Sequence, residues 1–67
     1  MEIEKQIFAD VFNFLKNNIN VRNDQEYWAN IVQQTTEIEQ KYPGNKLAVD
    51  MLYACTNRLC ELCDKGV

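Results

Sequence analysis

The sequence predicts an all-α fold, an antiparallel three-helix bundle with helices over about residues 2–18, 24–41 and 45–64. Three observations predict it. Apolar residues return at three- and four-residue steps in three separate stretches. Short polar or turn-forming segments divide those stretches. Acids open the first two and bases stand late in all three, which complements the helix macrodipole. No run alternates apolar and polar residues long enough to read as a strand.

In the first helix, Ile3, Ile7, Phe8, Val11, Phe12, Phe14, Leu15 and Ile19 cover an arc of about 180° at 100° per residue. That is wider than the ~100° stripe of a simple surface helix, so two neighbours are expected. Asn17, Asn18 and Asn20 are weak helix formers and end it. The second helix is predicted to start at Asn23, an N-cap with Glu26 three residues on in a variant of the capping box. Trp28, Ile31, Thr35, Ile38 and Tyr42 then form a heptad-like seam, flanked by Tyr27 and Val32. Pro43 and Gly44 stop it. The third helix has a main apolar face of Leu47, Ala48, Met51, Leu52, Cys55, Leu59 and Leu62, and Gly66 is placed to cap its end. Glu37 with Lys41 and Glu61 with Lys65 have the i, i+4 spacing of supporting ion pairs. Connections of about four residues suit antiparallel neighbours. The expected core is Ile7, Phe8, Val11, Leu15, Trp28, Ile31, Ile38, Met51, Leu52, Cys55, Leu59 and Leu62.

A chain of 67 residues makes one domain at most. At that length only about 60% of the unfolded surface is buried, so stability is small unless a disulfide, a metal, association or tight packing adds to it. Seven basic against ten acidic residues give a net charge of −3, which opposes nucleic-acid binding. No apolar run approaches the ~20 residues of a membrane span. The opening Met1-Glu2-Ile3-Glu4-Lys5 lacks the layout of a signal peptide, and a cytoplasmic location is expected. The three cysteines, Cys55, Cys60 and Cys63, are expected as free thiols. With no histidine, the commonest general base and metal ligand is missing.

Candidate chemistry is sparse. Cys60 and Cys63 form a C-x-x-C late in a helix, where the dipole disfavours a thiolate, so a redox pair is not expected. They supply two zinc ligands of four, so only a dimer pooling both pairs closes a tetrahedral site. The simpler reading is that these cysteines fill half-buried positions as small hydrophobes. Glu37 and Glu39 stand two apart and do not face each other, which fits a solvated face rather than an acid–base pair. A helix-turn-helix reading of the last two helices meets Asn45 and Lys46 but then Asp50, and the basic content is too low for DNA. No catalytic residue and no cofactor are implied.

The third helix carries a second apolar stripe, Val49, Tyr53 and Cys60, beyond its main face. Together the two sets span about 200°. Either the stripe is the flank of a well-embedded helix, or it is a contact surface that Phe12 and Ile19 extend. The size limit favours the contact surface, because association buries apolar area that a short monomer cannot.

Tyr27-Trp28, then Glu37-Ile38-Glu39-Gln40-Lys41-Tyr42, then Leu47-Ala48-Val49-Asp50-Met51-Leu52 resembles a pattern of small phage and prophage proteins of Firmicutes: an aromatic pair, a polar helix ending in Lys-Tyr, a turn and an apolar helix. The resemblance covers about half the chain and implies no activity and no functional residue. The expected function is a non-enzymatic protein–protein interaction module, homodimeric through the third helix. The alternatives are a phage-type small acidic inhibitor or regulator of one host protein, and a zinc-bridged dimer.

Overall fold

A computed structural model describes residues 2–64. Three helices follow one another, α1 (Glu2–Asn17), α2 (Gln25–Lys41) and α3 (Lys46–Asp64), and all three pairs pack together. Among the described residues there is no strand. The bundle is a rod, 38 × 17 × 17 Å between its outermost Cα positions. The expected fold class holds, and the helix limits agree to within a residue or so. Gly66 and the Glu61–Lys65 pair involve positions outside the described residues. Within them, Glu61 accepts from Arg58 at 3.2 Å.

The start of α2 differs from expectation by one residue. Asp24, not Asn23, is the N-cap: its backbone is extended (φ −135°, ψ 160°) and its carboxylate accepts from the Tyr27 N–H at 2.7 Å. Arg22 holds that carboxylate through two hydrogen bonds of 2.7 and 3.2 Å. An anchored carboxylate complements the orphan N–H groups and the positive end of the dipole better than a neutral amide does. At the other end the Tyr42 N–H reaches Ile38 O and Glu39 O, Pro43 follows, and Gly44 takes φ +72°. That left-handed conformation suits a residue without a Cβ. Asn45 then caps α3 by accepting from the Ala48 N–H at 3.1 Å, so the helix begins at Lys46.

The core is Ile7, Val11 and Phe14 of α1, Val21 of the first connection, Tyr27 and Ile31 of α2, Tyr42 of the turn, and Ala48, Leu52 and Leu59 of α3. Leu15, Trp28, Ile38, Met51, Cys55 and Leu62 lie partly buried against it. Phe8 is the clear correction, since it is 55% exposed whereas Phe14 is buried. The inward line of α1 runs through Ile7, Val11 and Phe14, which leaves Phe8 about 90° to one side. In α2 the pair Tyr27–Trp28 exchanges places with expectation. The Tyr27 hydroxyl donates to Asn18 O at 2.7 Å, which draws the ring inward, and Trp28 packs edge-on against it with centroids 4.8 Å apart.

Candidate interaction faces

The hydrogen bonds orient each helix about its axis. Asp10 of α1 accepts from Lys41 at 2.9 Å and from the Tyr42 hydroxyl, so Asp10 marks the side of α1 that faces α2. Asn18 and Gln34 pair through their side-chain amides on the same side. The α1–α2 seam is therefore polar. It forms a cleft of about 280 Å³ lined in part by Asp10, Asn17, Gln34, Glu37 and Lys41. Lys41 is thus drawn across the seam to Asp10 rather than along its own helix to Glu37.

The charged groups of this cleft serve one another. The Tyr42 hydroxyl and then the Lys41 ammonium hold the Asp10 carboxyl below its ordinary value, against the opposing effect of burial. The same Asp10 bond raises Lys41 and Tyr42. Asp10, Lys41 and Tyr42 bond to one another and clasp α1 to the end of α2.

The apolar faces lie elsewhere. Phe8 and Phe12 each stand about 160° around α1 from Asp10, so they face away from α2, on the flank beside α3. They are 55% and 63% exposed. In α3, Val49, Tyr53 and Cys60 lie about 80–120° to one side of the buried line of Ala48, Leu52 and Leu59. That side faces α2. Burial first, and then nearby Cys63 and Cys60, push up the hydroxyl of Tyr27, an α2 residue. On α2, Val32 stands about 160–180° from Gln34 and Lys41, and so on the outer flank beside α3. It is 64% exposed, Tyr53 is 70% exposed, and Val49 and Cys60 are exposed as well.

The structure thus divides the five candidate residues. Val49, Tyr53 and Cys60 share the outer face of the α2–α3 layer. Phe12 lies on the α1–α3 flank, a separate face, and Ile19 is exposed in the first connection. Val32 completes the α2–α3 face and was not singled out from sequence. Its only signal is that it stands one turn beyond Trp28 on the flank of the seam. The monomer leaves the second stripe of α3, Val49, Tyr53 and Cys60, exposed.

Cys55 is half-buried, and burial pushes its thiol up, which fits a packing role. Among the described residues no group of three or more metal-binding side chains comes together. Nor is any helix there long and apolar enough to cross a membrane. No family model, curated protein or solved structure matches this chain.

Proposed function

We propose that this chain is a non-enzymatic interaction module that forms a homodimer through the outer face of its α2–α3 layer. One observation carries the reading: Val32, Val49 and Tyr53 are large apolar side chains held open to solvent on adjacent helices of one face, with the Cys60 thiol beside them. Isolated exposed apolar residues are ordinary, but a cluster on one face marks a contact surface. Size supports the same reading. The chain exposes 4849 Å², against about 4,400 Å² for a typical folded monomer of this mass. A second copy hides part of that excess and adds stability by mass action.

Light scattering at micromolar concentration tests it. The expected mass is twice the 7.9 kDa of the chain. Tyr53→Glu, at a side chain 70% exposed in the monomer, is expected to halve the mass and leave the helical circular dichroism intact. A monomer that Tyr53→Glu does not change overturns the reading.

Phe8 and Phe12 favour a second role. One turn apart on the opposite side of α1 from the α2 clasp, they offer a separate two-ring site for a different protein, as a small acidic inhibitor or regulator would use. Phe12→Glu separates the roles, because it is expected to abolish capture of such a partner while the dimer persists.

A further inference from the structure

We infer that Cys60 and Cys63, one turn apart near the end of α3, hold a single Cu(I) ion between their sulfurs. The inference does not rest on the homodimer reading. It starts from a cysteine that packing does not explain.

Cys55 and Cys63 are half-buried, and both pack against the core. Cysteine in such a place acts as a small hydrophobe. Cys60 is exposed, so that account does not reach it. The helix, which runs to Asp64, fixes its position relative to Cys63. Residues three apart stand about 60° apart around the axis and about 4.5 Å apart along it, on one face. Burial, then Cys63, then Cys60 push up the hydroxyl of Tyr27, so both thiols stand on the side of α3 toward α2. Cys55 is five residues before Cys60, about 140° around the helix, and does not join the pair. One shielded thiol and one open thiol therefore lie side by side at the end of the α2–α3 layer.

The spacing selects the chemistry. Side chains three apart on a helix have Cβ atoms about 5–6 Å apart. A disulfide needs about 3.5–4.5 Å, so the intact helix holds the pair too wide to join. A metal ion between the sulfurs fills that gap. Metal–thiolate bonds are about 2.3 Å long, and two in line span about 4.6 Å from sulfur to sulfur. Rotation about each Cα–Cβ bond reaches that span with the backbone unchanged.

The number of donors selects the ion. Among the described residues no third Cys, Asp or Glu comes to the pair. A tetrahedral zinc site takes four ligands. Cu(I) is soft, is selected by thiolate, and is satisfied by two donors in line. The end of a helix disfavours a free thiolate, but a bound metal deprotonates a coordinating thiol outright. Binding breaks two S–H bonds, forms two Cu–S bonds and releases two protons to solvent. The ion keeps its single positive charge, and nothing is oxidised or reduced.

Cu(I) presented without oxygen to the reduced full chain as its bicinchoninate complex tests the site, because bleaching of that complex counts the ions transferred. One ion per chain is expected. Cys60→Ser and Cys63→Ala are each expected to weaken binding about a hundredfold or more, since even the partners behind a metal ligand are worth about 10–100-fold. Cys55→Ala is expected to bind as the native chain does. Circular dichroism checks that each variant folds, and Cys60→Ser, at an exposed position, decides the matter if Cys63→Ala does not fold. Copper X-ray absorption is expected to show two sulfur neighbours and no others. Failure of the native chain to take Cu(I) overturns the inference, as does zinc held as tightly as Cu(I). Equal binding by Cys60→Ser and the native chain is adventitious thiol binding and overturns it too. So does about half an ion per chain, which marks pairs pooled between two copies. Light scattering on the metal-free chain decides the homodimer reading separately.

Discussion

The side-chain amides of Asn18 and Gln34 bond to each other in both directions, at 2.8 and 3.3 Å, across the seam between the end of α1 and the middle of α2. The Asn18 amide also donates to Phe14 O at 2.7 Å, and its backbone carbonyl accepts from the Tyr27 hydroxyl at 2.7 Å. One residue thus ends α1, turns the chain and fixes the rotation of α2.

Asn18→Ala is therefore expected to destabilise the bundle by about 1–3 kcal/mol, because it leaves partly buried polar groups of Gln34 and Phe14 without their partner. Urea denaturation measures this. Gln34→Ala should cost less, since the bond from the Asn18 side-chain amide to Phe14 O survives it. Equal losses for the two variants would contradict a hub at Asn18.

The Asp10–Tyr42–Lys41 clasp predicts a two-sided pH profile. The Tyr42 hydroxyl, followed by Lys41, holds the Asp10 carboxyl below its ordinary 3.8. Its contribution is complete above the unfolded value and is lost as pH falls through the lower folded value. Tyr42 is raised above 10.0 by the same bond, so its contribution is complete below that value and is lost as pH rises through the folded one. Stability measured by urea midpoints is expected to be flat through neutrality and to fall on both sides. Asp10→Asn is expected to shrink the acid limb, leaving the part due to Asp24 and its Arg22 bond, and Tyr42→Phe to shrink the alkaline limb, leaving the part due to Lys41 and Tyr27. An unchanged acid limb in Asp10→Asn would count against the clasp.

Two phenylalanines of α1 separate pattern from packing. Phe14 is 3% exposed and Phe8 is 55% exposed. Phe14→Ala is expected to cost about 3–5 kcal/mol, enough to unfold much of a domain this small. Phe8→Ala should cost less than about 1 kcal/mol, because little of its surface is removed from water in the monomer. Thermal melts at low concentration, where association does not contribute, compare the two.

Helix number, helix limits and the position of the turns were legible in the sequence because each is a local property. Period, caps and breakers act within a few residues, and Pro43, Gly44 and Asn45 need no distant partner to end one helix and start the next. The excess apolar arc of α3 was legible for the same reason. Only the tertiary structure decided how far each helix is rotated about its axis. That rotation buries Phe14 rather than Phe8 and Tyr27 rather than Trp28, and it assigns Phe12 to a different face from Tyr53. It is set by contacts between residues far apart in the chain, Asp10 with Lys41 and Tyr42, and Asn18 with Gln34. An apolar arc of about 180° permits several such rotations at nearly equal burial, and directional hydrogen bonds across the polar seam select one of them.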